Sequence, residues 1–207
     1  MNTDIRPIGV LLAGGLARRM GGGDKPLRLL GGRPLLDHAI ARIAPQCRAL
    51  VLNANGPPER FAAWGLPVVA DPLPDFPGPL AGVLAGMRWA AAHHPNATDV
   101  LSAPTDTPFL PADLATRLAE ARTRAGTPIA CASSAGRTHP VVALWPVALA
   151  DALEADLRAG MRKIDAWTAR HGVAEAAFPA TPFDPFFNVN TQEDLAEAER
   201  LAAEAGR

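Results

Sequence analysis

Between Ile8 and Leu27 the sequence reads IGVLLAGGLARRMGGGDKPL: an apolar run, a glycine-rich basic loop, then a lysine. Glycines let backbone N–H groups approach anionic oxygens without a side chain in the way, so a segment of this kind suits a polyphosphate. From Gly14 to Arg28 four cations, Arg18, Arg19, Lys25 and Arg28, stand against Asp24 alone, a local excess of three positive charges in a chain of net charge −1. Two common phosphate motifs are excluded. A P-loop requires Gly-Lys-Ser/Thr, whereas here Asp24 precedes Lys25 and Pro26 follows it. The dinucleotide fingerprint requires a glycine three residues after Gly-x-Gly; counting from Gly21 and Gly23, that position is Pro26. Gly14 and Gly15 are candidates for a phosphate cradle, with an ordinary turn after a strand as the alternative. Lys25, then Arg19, are the candidate phosphate contacts, and Arg18 fits a solvated surface charge equally well.

A second set of polar residues follows apolar runs further along. Asp106, in Ala103-Pro104-Thr105-Asp106-Thr107-Pro108, is placed to hold Mg²⁺ against a polyphosphate, since that ion is typically bound by one or two carboxylates plus substrate phosphates. Asp71 and Asn53 stand at two other run ends, where each is also a common turn former. Gly78-Pro79-Leu80-Ala81-Gly82 reads as a loop feeding a helix N-terminus, suited either to an anion or to close packing of Gly82 on a sheet. Asn188 and Asn190, two apart in an extended segment, face one side and either present two amides to a ligand or brace a loop. Arg162-Lys163 is a second basic pair. His139 precedes Pro140 and either approaches a substrate or, the preferred reading, braces a strand start; His93-His94, at a helix end without acidic or cysteine partners, do not read as a metal site.

Taken together, the strand, Leu12-Ala13-Gly14-Gly15, the arginine pair, Met20-Gly21 and Asp24-Lys25 resemble the signature of nucleotidyltransferases that use a nucleoside triphosphate and release pyrophosphate. The LAGG form, the GPLAG segment and the NVNT run at Asn188–Thr191 are similar to the molybdenum cofactor guanylyltransferase family. The resemblance implies a three-layer α/β/α Rossmann-like nucleotidyltransferase fold with a mostly parallel sheet. It implies GMP transfer from GTP to molybdenum-molybdopterin, with Mg²⁺ as cofactor. It assigns Leu12, Ala13, Gly14, Gly15, Lys25, Asn53, Asp71 and Asp106 to the nucleotide, with Asp106, Arg19 and Lys25 catalytic and Asp106 on the metal. Gly78, Gly82, Arg162, Lys163, Asn188 and Asn190 go with the molybdopterin. A cytidylyltransferase for the same cofactor, or for a sugar or isoprenoid phosphate, is the rival enzyme, although its relatives usually carry LAAG. A non-catalytic nucleotide-binding or cofactor-carrier protein is the rival of another class.

These residues need elements to hold them. Strand and helix signals alternate along the chain, which implies a parallel or mostly parallel sheet covered on both faces. Strands are expected at residues 8–13, 49–52, 66–70, 99–103, 128–132, 141–145 and 173–178. Helices are expected from Leu35 to Ala44, from Pro57-Pro58, from Pro79 to Ala92, from Pro111 to Arg124, from Val147 to Arg158, from Arg162 to Arg170 and from Thr191, where Asp194 completes a capping box. Gly14, Asn53, Asp71 and Asp106 then all lie beyond carboxyl ends of strands, where open α/β sheets bind ligands.

Composition narrows the class. A chain of 207 residues, 48% apolar and 20% charged, suits one soluble domain; the resemblance implies that residues 1–110 serve mainly the nucleotide and 111–207 mainly the molybdopterin. Near-zero net charge argues against nucleic acid and membrane surfaces as partners. Cys47 and Cys131 form no CxxC pair, and the N-terminus lacks a signal-peptide pattern, so a cytoplasmic location is expected. Transient contact with proteins that deliver or accept the cofactor is a further expectation.

Overall fold

A computed structural model describes residues 5–14, 24–73 and 78–205. In chain order the strands are β1 (Ile8–Leu12), β2 (Leu29–Leu30), β3 (Arg33–Pro34), β4 (Ala49–Asn53), β5 (Val68–Val69), β6 (Asp99–Pro104), β7 (Ile129–Ser134), β8 (Arg137–Pro146) and β9 (Val173–Phe178). The helices are α1 (Leu35–Ile43), α2 (Pro79–His93), α3 (Leu114–Ala125), α4 (Ala150–Arg158), α5 (Ile164–His171) and α6 (Gln192–Ala205). Seven strands form one sheet in the order β5-β4-β1-β6-β8-β7-β9. Four of its pairings are parallel, β5–β4, β4–β1, β1–β6 and β7–β9, while β8 runs antiparallel to both neighbours. The mostly parallel three-layer α/β architecture expected from the sequence is what forms.

Strand alternation builds the two outer layers. On β1, Ile8 and Val10 join a buried cluster with Leu80, Val83, Leu84 and Met87 of α2, and with Leu153, Leu157 and Trp167 of α4 and α5. Leu11 and Ala13 point the other way, to Leu36, Ala39 and Ile43 of α1 and to Leu114 and Leu118 of α3. The helical positions recur at i, i+3, i+4 and i+7, one face of a 3.6-residue period. α2 lies unusually close to the sheet: a Cβ on Gly86 would stand 2.8 Å from Val10 Cβ, and one on Gly82 would stand 2.7 Å from Leu12 Cδ2 and collide with the Asn53 amide. Such contact needs glycine at both positions.

Several boundaries differ from expectation. The Pro57-Pro58 start gives a 3₁₀ helix, Pro58–Trp64, not an α-helix. β8 begins at Arg137 rather than Val141, because Ala135 and Gly136 take φ of 48° and 73° and close a two-residue hairpin with β7. α3 starts at Leu114, not Pro111; Gln46 ties the preceding turn by donating to Pro111 O at 2.8 Å and accepting from Ala115 N–H at 2.8 Å. The β2–β3 hairpin was not foreseen, and Gly31 and Gly32 at positive φ make its turn. The capping box forms as the spacing predicts: Asp194 N–H donates to Thr191 Oγ1 at 3.1 Å, and Thr191 N–H to Asp194 Oδ2 at 2.9 Å. Among the described residues, no helix is long and apolar enough to cross a membrane.

Candidate active site

The carboxyl ends of β1, β4, β5 and β6 lie side by side. Parallel pairing sets Leu12 opposite Asn53 on one side and Pro104 on the other, and Asn53 opposite Val69. Leu12 O accepts the Thr105 N–H at 3.2 Å, and Asn53 O accepts the Ala13 N–H at 2.9 Å. Gly14 follows, and a Cβ there would meet none of the described residues within 4 Å. Gly15, Arg18, Arg19 and the run Gly21-Gly22-Gly23 lie outside the described residues.

A cleft of about 290 Å³ opens over these ends, lined by Leu12, Gly14, Asn53, Asn55, Asp71 and Gly78 and closed by Pro79, Pro104 and Val141. Asp71 is held at both oxygens: Asn53 Nδ2 donates to Oδ1 at 2.9 Å and Asn55 Nδ2 to Oδ2 at 2.7 Å. Asn55 Oδ1 accepts the Asp71 N–H at 2.9 Å. Asn55 escaped the sequence reading because it lies past the strand end, although it stands two residues after Asn53, the same spacing as Asn188 and Asn190. Gly78 borders this cleft, with the nucleotide candidates rather than with Asn188. Gly82 is buried under Asn53 and Leu12, so its place in the fold is that of a packing residue.

Lys25 and Asp106, far apart in sequence, meet at the end of β6. The ammonium donates to Asp106 Oδ2 in a short ion pair and to Asn190 Oδ1 at 2.6 Å, and Lys25 is only 8% exposed. Asp24, beside it in the chain, is held by Arg60 Nη1 at 2.6 Å, while Arg60 Nη2 donates to Asn55 O. Arg60 therefore ties the segment bearing Lys25 to the segment bearing Asn55 and Asp71, a link that no local motif announces.

The 186–191 segment runs back along the end of β6. Val189 N–H donates to Asp106 O at 2.9 Å, and the Val189 side chain is buried with Leu30 and Leu35. Asn188 and Asn190 thus share the opposite side, as alternation requires. Thr107 Oγ1 donates to Asn188 Oδ1 at 2.5 Å. A second cleft, of about 220 Å³, lies between Thr107, Asn188 and Phe186 on one side and Arg137 to Val142 of β8 on the other. The two clefts share Pro104 and Val141 as a common wall. Neither Arg162 nor Lys163 is among the described residues that line the two clefts: Arg162 Nη1 donates to the carbonyls of Leu157 and Met161, and Lys163 stands at the N-cap position of α5 without a side-chain cap bond.

Among the described residues, no three His, Cys, Asp or Glu side chains cluster as a self-sufficient metal cage. A cation at Asp106 would therefore complete its shell from substrate oxygens and water, which fits Mg²⁺-type chemistry on a polyphosphate.

The MobA-like NTP transferase domain model matches residues 9–174. The chain is 60% identical over 199 residues to the molybdenum cofactor guanylyltransferase of Rhodopseudomonas palustris (strain BisB5), covering 96% of this chain and 95% of that protein. Its fold is similar to that of molybdopterin-guanine dinucleotide biosynthesis protein A from Archaeoglobus fulgidus, with a TM-score of 0.72 and 26% identity over 95% of this chain and 99% of the other. It is also similar in fold to Rv0371C of Mycobacterium tuberculosis H37Rv, solved in complex with manganese, with a TM-score of 0.65 and 21% identity over 94% and 98% of the two chains.

Proposed function

The chain belongs to the MobA-like NTP transferase domain family, and from that premise we propose how its site carries out guanylyl transfer. The protein is an enzyme that transfers GMP from GTP to molybdenum-molybdopterin, forming molybdopterin guanine dinucleotide. A terminal phosphate oxygen of molybdopterin forms a bond to the α-phosphorus of GTP. The bond from that phosphorus to the β-phosphate oxygen breaks, and pyrophosphate leaves.

The observation that carries the residue assignment is the Lys25–Asp106 pair beside two adjoining clefts. GTP takes the cleft over β1, β4 and β5, with Asn53 and Asp71 toward its nucleoside and Leu12 to Gly15 along its phosphates. Lys25 and Arg19 neutralise charge that grows on the α-phosphate and the leaving pyrophosphate, the main source of rate enhancement in such transfers. Asp106 would hold Mg²⁺, and the ion would supply further neutralisation of phosphate charge. Molybdopterin takes the second cleft, with Asn188 in its wall and Asn190 next to it on Lys25, so residues 1–110 serve mainly the nucleotide and 111–207 mainly the acceptor. Arg162 and Lys163 remain candidates for the acceptor phosphate only if the α4–α5 turn is reached by a long substrate. A cytoplasmic setting and brief docking of cofactor-delivering and cofactor-accepting proteins complete the proposal. The free thiols of Cys47 and Cys131 support the former.

The test is to incubate the protein with Mg²⁺, molybdenum-molybdopterin and each of the four nucleoside triphosphates and to measure pyrophosphate. Release is expected with GTP. A preference for CTP of about tenfold or more would move the assignment to cytidylyl transfer.

A further inference from the structure

β7 and β8 pair regularly to Cys131 and Ala143, after which the register jumps and Ala132 pairs with His139. Pro140, Val141 and Val142 bulge from the ladder. β8 also parts from β6 there, their last pair being Ser102 and Ala143. The carbonyl of Val141, released by the bulge, is taken by Ser102 Oγ–H at 2.6 Å, and Ser102 Oγ in turn accepts the Trp145 indole N–H at 2.7 Å. The gap opened between β6 and β8 is the acceptor-side cleft, and His139 is in its wall.

The far side of His139 is fixed by residues that the transfer chemistry does not use. Ser134 Oγ donates to Asp184 Oδ1 at 2.8 Å, and the same oxygen accepts the Phe186 N–H at 2.9 Å. Having given its single proton to Asp184, Ser134 Oγ must accept from His139 Nε2, 2.7 Å away. The imidazole also stacks on Phe186, with centroids 4.6 Å apart and planes at 29°. Nε2 therefore carries the proton and Nδ1 keeps its lone pair, with no protein partner for Nδ1 among the described residues. Burial holds the imidazole below the ordinary histidine range; Arg137 on β8 adds to this, and Asp184 on the 183–187 segment opposes it.

We propose that His139 is a positioning and specificity residue for the acceptor, its Nδ1 accepting a hydrogen bond from a ring N–H of the pterin while Ser134 and Asp184 fix the tautomer. This rests on the reading that the second cleft receives molybdopterin. A lone pair at that place selects a heterocycle that offers N–H. Protonation makes Nδ1 a donor, so acceptor binding weakens as His139 charges and GTP binding does not.

The experiment is steady-state pyrophosphate release with saturating GTP and varied molybdenum-molybdopterin, from about pH 5.5 to about pH 8, for the wild type, His139→Ala and His139→Asn. Calorimetric titrations of GTP and of molybdopterin accompany it. His139→Ala is expected to raise the acceptor KM about tenfold or more, with kcat within about threefold and GTP affinity unchanged. His139→Asn puts an amide oxygen near the place of Nδ1; it is expected to recover most of the KM and to show a shallower acid limb than the wild type, that of the acceptor's own phosphate. An acceptor KM within about twofold of wild type in His139→Ala overturns the proposal. So does an acid limb as deep in His139→Asn as in the wild type, or a loss of GTP affinity in both variants, which marks a purely structural role. Absence of pyrophosphate release by the wild type refutes the guanylyl-transfer reading instead, and the molybdopterin titrations then decide for or against His139 alone.

Discussion

Lys25 and Asp106 form an ion pair across the mouth of the sheet, with side chains 11% and 19% exposed. Under the proposed function, the pair keeps the phosphate-contacting ammonium and the metal-holding carboxylate in one place before any substrate arrives. Asp106→Ala is expected to lower turnover by about a thousandfold or more, while far-UV circular dichroism stays that of the folded chain. Lys25→Ala is expected to weaken GTP binding, read by calorimetry. Each single change leaves one partner of a part-buried pair uncompensated and lowers stability by about 1–3 kcal/mol. The double variant should lose less than the sum in urea denaturation; strict additivity would mean that the two groups do not interact.

Gly82 and Gly86 make a second, purely geometric demand. Gly86→Ala pushes a methyl into Val10, so a loss of about 1–3 kcal/mol is expected from overpacking. Gly82→Ala meets Leu12 and the Asn53 amide, and Asn53 holds Asp71. Comparable destabilisation together with weaker GTP binding is therefore expected for Gly82→Ala, and destabilisation alone for Gly86→Ala. Denaturation curves and GTP titrations on the two variants separate the effects, and equal GTP affinities would dissociate Gly82 from the nucleotide.

Local pattern made some of this legible and left the rest hidden. The apolar run of β1, the helical spacing of Leu35, Leu36, Ala39 and Ile43 on α1 and the alternation of strand and helix signals along the chain are enough to predict the layers, and Gly14, Asn53, Asp71 and Asp106 fall at strand ends by counting alone. β8 was foreshortened because Arg137-Thr138-His139-Pro140 is polar and holds a proline, the signature of a loop. The strand survives there through the Ala135-Gly136 turn and the bulge that follows. Contacts across long stretches of chain, such as Lys25 with Asn190 or Ser134 with Asp184, have no sequence periodicity to reveal them. Arg162-Lys163 shows the converse: a basic pair is conspicuous in sequence, yet Arg162 bonds the carbonyls of its own turn.

Arg60 links the two halves of the nucleotide side. Its guanidinium reaches Asp24, beside Lys25, and the carbonyl of Asn55, whose amide holds Asp71. Arg60→Ala is expected to raise the GTP KM about tenfold with a smaller change in kcat, since it releases positioning groups and leaves Lys25 and Asp106 in place. Arg60→Lys should not restore affinity, because an ammonium lacks the planar fork that spans two acceptors. A GTP KM unchanged in Arg60→Ala would show that the two segments hold their places independently.

His139 also makes stability depend on pH, separately from any role toward the acceptor. Its pKa is lowered in the fold, chiefly by burial. Between that lowered value and about 6.5, the ordinary histidine value, the unfolded chain binds more protons than the native one, so stability rises with pH across the window. Above about 6.5 both states hold a neutral imidazole, and below the folded value both hold a charged one, so the contribution is flat on either side. Urea denaturation at about pH 7.5 and about pH 5.5 should therefore show a loss of stability on acidification in the wild type and a smaller loss in His139→Asn, which has no proton to take up. Equal losses in the two proteins would place the acid sensitivity elsewhere, among the carboxylates.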